Sequence, residues 1–298
     1  YFKDAGIMKT AKVGNAVLRL IKAKEMIDLA VSIGEKNPTF VLCDNPACAD
    51  CVKQKAAIFA DKIASLESFK LSASSKLAGY YVPEIIDRLK ENGIQYLELD
   101  YLQGKAAASL SLDKLTEACR AFRAEGIEIS ALRLAAIPAE IDGFIEKIKA
   151  AEISKVILPF PYAQEILQKL SAAKIAFSFV NTEQNSADFN KLLNAIKNTY
   201  PCKSTLNPVN FVKAFEHPFL HSWNRGRFIK HIEQLDIVDA KWDTCPTRLA
   251  EGNAEIKELI SIIRCHNFQG FFTLGAGATY PGTLKKAVEE FNFLLNTM

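Results

Sequence analysis

Residues 228–263, FIKHIEQLDIVDAKWDTCPTRLAEGNAEIKELISII, contain the clearest pattern of structural elements in the chain. An apolar run at residues 235–242 is followed by the polar cluster 243–246 and, after Gly252, by apolar residues at helical spacing. Short β-branched and apolar runs bounded by turn residues are typical of buried strands, and the helical spacing predicts a helix. The stretch therefore predicts a strand, a loop and a helix, which is the repeating unit of an α/β fold.

The same unit recurs from residue 69 to the end of the chain. The predicted strands cover residues 69–74, 96–100, 129–134, 155–158, 176–180, 204–206, 235–241 and 271–274. Helical patterns separate them, and residues 211–215 and 224–234 fill the sixth crossover. Eight such repeats favour a closed barrel over an open doubly wound sheet, and no Gly-x-Gly-x-x-Gly follows the first strand. We therefore predict a (β/α)8 TIM barrel over residues 67–298.

Residues 1–66 have a different composition, rich in Ala, Lys and Ile. Apolar residues at helical spacing, such as Val17, Leu20 and Ile21, predict two or three helices with a break at Pro38. We interpret this segment as a helical N-terminal extension. Whether its apolar faces pack on the barrel or on a partner is left open.

Composition narrows the classes of function. The chain has 298 residues and a formal charge of +3, from 37 basic and 34 acidic residues that are well mixed. Such a balance does not favour nucleic acid or an anionic membrane as a partner. The apolar runs are shorter than the roughly 20 residues that cross a bilayer. We expect a soluble, cytoplasmic protein; because the chain begins without Met, a removed signal peptide is the alternative.

Seven cysteines are scattered along the chain, an odd number that is typical of reduced, independent thiols. Cys43, Cys48 and Cys51 are clustered, with Cys-x4-Cys-x2-Cys spacing. Three thiolates at this spacing are also found in zinc and iron–sulfur sites, but no fourth Cys or His is near in sequence. We favour thiols that bind no metal.

Several segments of the barrel region resemble the xylose isomerase-like TIM barrels, the family of sugar phosphate isomerases and epimerases. These segments are GIQYLELD at 93–100, the helix-to-strand run at 115–132, LNPVNF at 206–211, VDAK at 238–241, GN at 252–253 and FQG at 268–270. The resemblance extends from about residue 69 to the C-terminus and leaves the N-terminal segment unmatched. It implies a barrel that acts on a small sugar or sugar phosphate.

The family's active site holds a divalent metal with two glutamates, an aspartate and a histidine at the C-terminal mouth of the barrel. Carried over position by position, these ligands fall on Val180, Asn207, Asp239 and Gly275. Asp239 alone keeps an ionisable side chain, and one carboxylate with one amide is a poor cage for a hard cation. We therefore expect no metal and no cofactor. A shift in register would bring Glu183 or Asp243 nearer the site.

Three residues are our candidates for the catalytic positions: Asp239, Lys241 and Glu98. Asp239 and Lys241 are two apart, so on one strand they project to the same side and are expected to pair. Glu98 shares a strand face with Asp100. This pair is either an acid/base pair in the barrel mouth or part of a salt bridge within the barrel.

The candidates for substrate binding are Arg133, Asn207, Asn181, His217 and Trp223. Arg133 is suited to clamp a phosphate or carboxylate, or alternatively to pair with Glu98. His217 and Trp223 lie in the sixth crossover, where stacking on a sugar ring and ordinary surface packing are equally favoured. The glycine-rich segment 275–282 is either an anion seat or a simple turn.

Two functions follow from these observations. The first is a sugar phosphate isomerase/epimerase-like barrel that acts on or binds a small sugar or polyol without the family's metal. The alternative is a non-catalytic carbohydrate-binding or interaction protein on the same scaffold, because a fold by itself does not fix function.

Overall fold

The structure is a computed structural model that describes residues 9–13, 16–20, 40–41, 69–160, 162–225, 231–264 and 268–297. Residues 69–260 and 270–297 form one compact unit. Within this unit, eight parallel strands close into a barrel, because the first strand pairs with both the second and the eighth. The predicted TIM barrel is confirmed.

The barrel strands follow one another in chain order around the barrel. They are β1 (Lys70–Ser74), β2 (Tyr96–Leu99), β3 (Glu128–Arg133), β4 (Lys155–Pro159), β5 (Ala176–Val180), β6 (Lys203–Leu206), β7 (Ile232–Ile237) and β8 (Phe271–Leu274). Each strand is followed by a helix of the same number: α1 (Val82–Glu91), α2 (Leu112–Ala124), α3 (Ile141–Ala150), α4 (Gln164–Ala172), α5 (Ser186–Ile196), α6 (Pro208–Lys213), α7 (Ile256–Arg264) and α8 (Leu284–Thr297).

Apolar packing between strands and helices forms the main core. Phe272 of β8 is fully buried and meets Phe291 of α8 edge-on, with ring centroids 5.5 Å apart. Leu97 and Leu132, on β2 and β3, are likewise inaccessible to solvent. Burial of this apolar surface is the dominant favourable term in folding, and it fixes which face of each strand turns toward the helices.

The opposite face of the strands lines a barrel interior that is unusually polar. Ser72 and Ser130 are joined across the interior by a hydrogen bond of 3.1 Å, and Ser178 and Thr205 by one of 3.0 Å. A TIM barrel interior is ordinarily filled by bulky branched apolar side chains. Here short hydroxyl side chains occupy part of that space, so the interior accommodates charged side chains above them.

Asn207 is an example of a site residue that is positioned by the N-terminus of a helix. Its side-chain oxygen accepts a hydrogen bond of 3.2 Å from the backbone N–H of Asn210, and Pro208 occupies the first turn of α6. Asn is a favoured N-cap residue and Pro a favoured first-turn residue. The local sequence therefore holds Asn207 at the carboxyl end of β6, with its amide nitrogen left free to donate elsewhere.

The seventh strand differs from its prediction. β7 covers Ile232–Ile237, whereas we expected residues 235–241; Asp239 and Ala240 instead pair antiparallel with Thr247 and Pro246 in a separate hairpin. Polar residues alternate with apolar ones in β7, since Gln234 and Asp236 face the interior while Leu235 and Ile237 are buried on the other face. The apolar run misled the prediction because this interior is polar.

The first 68 residues are described only in part. Lys9–Val13 pairs antiparallel with Ala16–Leu20, which pairs parallel with Phe40–Val41. Val17 and Leu20 thus lie in a strand, and the helix that we expected there is wrong. The other predicted helices of this segment, and Cys43, Cys48 and Cys51, lie outside the described residues. Across the described ranges, no helix is long and apolar enough to cross a membrane.

Candidate functional site

A cleft of about 470 Å³ opens at the mouth of the barrel, above the carboxyl ends of the strands. In TIM barrels, this face is built from the loops that follow the strands and carries the active site. The charged residues that line the cleft are Lys76, Asp100, Arg133, Lys213 and Asp239. Uncharged polar residues, among them Thr182, Asn210 and Thr279, complete the polar part of its wall.

Arg133, at the end of β3, is held by two carboxylates inside the barrel. Its Nε donates to Glu98 Oε1 over 2.5 Å, and its Nη2 donates to Asp236 Oδ1 over 2.7 Å. Gln234 donates to both carboxylates, and Asn207 Nδ2 donates to Asp236 Oδ2 over 2.9 Å. Five side chains from four strands or strand ends thus form one network, which we call the arginine network.

The charged side chains of the arginine network are buried. Burial alone lowers the pKa of Arg133, but Asp236 and Glu98 outweigh it and raise that pKa, so the guanidinium stays charged. Burial raises the pKa of Asp236 against the opposing effect of Arg133. Buried charges are tolerated where they are paired and hydrogen-bonded, as they are here.

One nitrogen of Arg133 is left over. No hydrogen-bond partner of Nη1 is found among the described residues, although Nε and Nη2 are both engaged. Gly277, in the loop after β8, lies against this nitrogen: an added Cβ would be 2.9 Å from Nη1 and 2.6 Å from Asn207 Nδ2. Gly277 also has a φ of +68°, which favours glycine. The glycine keeps Nη1 accessible from the cleft.

Asp100 directly follows β2 and lines the cleft. Residues 74–76, at the end of β1 and just after it, surround its carboxylate. Its carboxylate accepts hydrogen bonds from the hydroxyls of Ser74 and Ser75, at 2.6 and 2.8 Å, and from the backbone N–H of Lys76, at 3.0 Å. Burial, and secondarily the charge of Glu98, raise the pKa of Asp100. A cleft-lining carboxyl with a raised pKa is a candidate acid or base.

Asp239 follows β7 and is held by backbone amides. Its carboxylate accepts from the N–H groups of Ala240, Gly252 and Ala254, at 2.8, 3.0 and 3.0 Å. A Cβ added to Gly252 would lie 2.2 Å from Asp239 Oδ1, so glycine is required for this close approach. We call this arrangement the Asp239 loop. It fixes the segment after β7 and leaves Asp239 little capacity for a ligand.

The predicted pairing of Asp239 with Lys241 is wrong. Lys241 is exposed, and its backbone N–H donates to Cys245 O in the hairpin. Neither a hydrogen bond nor an ion pair joins the two side chains in the part of the chain that the structure describes. The reason is the position of β7, which ends at Ile237, before both residues. Lys241 is also absent from the described residues that line the cleft.

Asn181 and His217, which we predicted to bind substrate, contact other protein groups. Asn181 is fully buried, and it exchanges hydrogen bonds with the backbone of Asn207, at 2.7 and 2.8 Å. His217 lies outside the cleft, with Nδ1 3.1 Å from Glu255 Oε1 and its ring against Trp242. Asn181 therefore links the ends of β5 and β6.

Of the other predicted residues, Arg133 reaches the cleft directly, whereas Glu98 and Asn207 lie beneath it in the arginine network. The backbone of Trp223 belongs to the π-helical turn Leu220–Arg225, and its side chain lies outside the description.

Three residues of the site were missed at the level of sequence. The sequence does contain a pattern that could have identified Asp236, the alternation of polar and apolar residues in β7. The apolar run that follows led us to place the strand too late in the chain. Lys76 and Lys213 have no such pattern, because a lysine in a short helix or in a last helical turn is ordinarily a surface residue. These two lysines differ from other surface lysines only because their helices bring them to the cleft in the folded structure.

Of the four positions to which the resemblance assigned metal ligands, Asp239 is bonded to backbone N–H groups, as described above. The other three are occupied as follows. Val180 and Gly275 have no ligand atom in their side chains. The amide nitrogen of Asn207 donates to Asp236 and to Ala276 O. Among the residues that the structure describes, no group of three or more His, Cys, Asp or Glu side chains is placed to hold a metal ion.

No protein-family model and no curated protein sequence matches this chain. Solved structures do match it. A xylose isomerase-like TIM barrel protein from Mycobacterium smegmatis, in complex with magnesium, has a TM-score of 0.55 and 13% identity, over 77% of this chain and 96% of that one. A xylose isomerase domain protein from Alicyclobacillus acidocaldarius has a TM-score of 0.55 and 12% identity, over 77% and 100%.

A third match is the probable 3-DHS dehydratase AsbF of Bacillus anthracis, with a TM-score of 0.54 and 14% identity, over 77% of this chain and 99% of that one. At such identities the agreement lies in the arrangement of strands and helices, which shows the fold and leaves activity undecided. The chain therefore folds as a TIM barrel that is similar in its arrangement of strands and helices to these xylose isomerase-like proteins.

Proposed function

We propose that the cleft binds a small polyhydroxylated compound, a sugar or polyol with or without a phosphate. The observation that carries this proposal is the free Nη1 of Arg133 at the bottom of the cleft. The other two nitrogens of its guanidinium are fixed by Glu98 and Asp236, so Nη1 is a rigid, charged donor. The cleft volume of about 470 Å³ falls within the range of roughly 300–1,000 Å³ typical of small-molecule sites.

The neighbouring groups suit hydroxyl groups as ligands. Thr182, Asn210 and Thr279 line the same cleft and supply both donors and acceptors. Pro159, Val180 and Val209 add apolar surface that suits the C–H faces of a sugar ring. A few placed polar groups on a partly apolar wall are the usual composition of a small-molecule site.

The proposal includes binding without a divalent metal at the family's positions. Of those four positions, Asp239 alone has a carboxylate, and three backbone N–H groups already donate to it. The Asn207 side chain is likewise engaged on both its oxygen and its nitrogen. Hard cations require several free charged oxygens, which these positions do not supply. The proposed binding therefore uses no metal ion at these four positions.

Filling the cleft tests this function. Ala135 is exposed and lines the cleft, whereas its neighbour Ala136 is exposed and does not line it. Ala135→Trp adds bulk in the cleft and removes no hydrogen-bonding group, and Ala136→Trp is its matched control. Calorimetric titration with hexoses, polyols and their phosphates should give binding in the parent and in Ala136→Trp, and at least about tenfold weaker binding in Ala135→Trp.

Equal affinity in the two tryptophan variants would show that the compounds bind outside the cleft. A parent protein that binds no compound of the panel would overturn the proposed function itself and would favour the interaction-protein alternative.

A second candidate function, isomerisation or epimerisation by proton transfer, is favoured by one observation. Asp100 reaches the cleft and its pKa is raised by burial, as befits a carboxyl that moves a proton. Glu98 and Asp239, two of our catalytic candidates, have their carboxylates engaged by Arg133 and by backbone amides, respectively. Under this candidate, Asp100 takes the role that we assigned to them.

The two candidates differ in what happens to a bound sugar. If Asp100 moves a proton, a sugar that binds in D2O acquires deuterium at the carbon next to its carbonyl, and Asp100→Asn abolishes the exchange. Proton NMR of the sugar measures this directly. Binding without exchange in the parent would assign the protein to non-catalytic carbohydrate binding.

A further inference from the structure

Among the charged groups that line the cleft, the cations are the ones that retain unused hydrogen-bond donors. Lys76 and Lys213 are exposed side chains that line it, and neither forms an ion pair with any described residue. Lys76 Nζ lies 5.5 Å from the centre of the Tyr101 ring, a contact that leaves its three N–H groups free. With Nη1 of Arg133, three separate cations thus present unused donors to one cleft.

The acidic groups of the cleft are, by contrast, engaged. Asp100 accepts hydrogen bonds from two hydroxyls and from backbone N–H groups, and Asp239 accepts from three backbone N–H groups. The oxygens of these two carboxylates therefore already act as acceptors within the protein. The unused donors among the charged groups of the cleft belong to Lys76, Lys213 and Arg133.

The fold also fixes the guanidinium of Arg133 and the backbone positions from which Lys76 and Lys213 reach the cleft. The backbone N–H of Lys76 is anchored to Asp100 Oδ1, and Lys213 ends α6, which begins at the Asn207 cap. Arg133 is fixed by the arginine network and gives up little conformational entropy when a ligand binds Nη1. Pre-organised donors are worth more in binding than flexible ones.

We infer that the ligand of the cleft carries an oxyanion, a phosphate or carboxylate group, which accepts from Arg133 Nη1 and is neutralised by Lys76 and Lys213. This inference rests on the proposed function and narrows it to anionic sugar or polyol derivatives. Since Nε and Nη2 of Arg133 are occupied, the anion meets a single nitrogen of the guanidinium, and the lysines supply the remaining donors.

The loop after β8 lines the cleft with small, uncharged residues. Gly277, Ala278 and Thr279 line the cleft beside Arg133, so the glycine-rich segment lies where we expected an anion seat. The seat itself is formed by cationic side chains from β3, from α6 and from the short helix Ser75–Ala78. The loop keeps one side of it open because Gly277 has no Cβ.

The test compares matched neutral and anionic probes. Calorimetric titrations would use D-glucose, D-glucose 6-phosphate, D-glucuronate and inorganic phosphate, together with D-fructose and D-fructose 6-phosphate. We expect the best anionic probe to bind at least about tenfold tighter than its neutral parent, the gain from one charge-assisted contact. The advantage should shrink as the salt concentration rises, because ions screen the exposed lysines.

Lysine variants assign the effect to the cleft. Lys76→Met and Lys213→Met keep the length of the side chain and should each weaken the anionic probe about three- to tenfold, with the neutral probe changed less than about twofold. Lys149→Met is the matched control. Lys149 is exposed in the last turn of α3, the end of the helix that leads into β4 on the opposite face of the barrel.

The outcomes separate the two proposals. Neutral and anionic probes of equal affinity, with Ala135→Trp still weakening binding at least about tenfold, would overturn the oxyanion inference and leave the proposed function standing. A loss of affinity in Lys149→Met as large as in Lys76→Met would also overturn the inference. Binding of inorganic phosphate that depends on Lys76, with no sugar bound, would keep the oxyanion seat and overturn the sugar as ligand.

Discussion

The arginine network and the Asp239 loop both bury carboxylates near the mouth of the barrel, but they satisfy them in different ways. Glu98 and Asp236 are bonded to side chains from distant strands, and Arg133 and Asp236 are 103 residues apart in sequence. Asp239 is bonded to backbone N–H groups, all of them within 15 residues.

The difference decides which region has capacity for a ligand. The backbone donors of the Asp239 loop are fixed in position and donate to the carboxylate of Asp239 itself. The loop is therefore a structural unit. A guanidinium has more donors than its two carboxylates use here, so the arginine network leaves Nη1 over. A buried charge network can therefore serve stability and binding together, whereas a backbone-capped carboxylate serves mainly stability.

The largest effect is expected from removing the cation of the arginine network. Arg133→Met leaves Glu98 and Asp236 buried without their charged partner, and loss of one partner of a buried ion pair costs roughly 3–5 kcal/mol. The free energy of unfolding from urea denaturation, followed by circular dichroism, measures the loss. Glu98→Gln and Asp236→Asn, added to Arg133→Met, should restore part of it. A loss below about 1 kcal/mol would show that the network does not carry its charges as described.

A smaller effect is expected in the Asp239 loop. Asp239→Asn keeps the shape of the side chain but turns one acceptor into a donor, which leaves a buried N–H without its partner and costs about 1–3 kcal/mol. The same denaturation measurement reports it. Lys241→Ala is the control, because truncation of this exposed side chain should change stability by less than about 0.5 kcal/mol. Equal losses in the two variants would mean that Asp239 and Lys241 do form a pair in solution.

The smallest effect concerns the pH dependence of Asp100, which combines both kinds of contact, side-chain hydroxyl and backbone amide. Its pKa is raised on folding, so the folded state binds the proton more tightly than the unfolded state. Its contribution to stability is therefore greatest below the ordinary Asp value and is lost as pH rises through the raised value.

Asp100→Asn should flatten the pH dependence of the unfolding free energy over that window, from the ordinary value of 3.8 upward. Denaturation curves of parent and variant at several pH values measure the difference. Parallel pH profiles for the two proteins would contradict the raised pKa and, with it, the second candidate function.

Much of the barrel follows from local sequence. Pro83 is typical of the first turn of a helix and Gly93 of the residues just after one, and a helix is observed at Val82–Glu91. The predicted strand at 176–180 is observed with the same bounds. Prediction failed at β7, where residues 235–242 are apolar enough to suggest a strand of their own. The true strand places Gln234 and Asp236 inward, which is stable only because Arg133, Glu98 and Asn207 meet them there.

For the site, local sequence is enough to place Glu98, Arg133 and Asn207 at or near the carboxyl ends of strands, because the alternation of strands and helices fixes which loops share one face. It left open whether Arg133 serves a ligand or Glu98. The tertiary structure decided that Arg133 binds Glu98 and Asp236 and still keeps one nitrogen free, and that Asp239 is enclosed by its own loop. Periodicity is a local property that can be read directly from a sequence. The partners of a buried charge depend instead on long-range packing. The desolvation of that charge must be compensated by whichever side chains the closed barrel brings within reach.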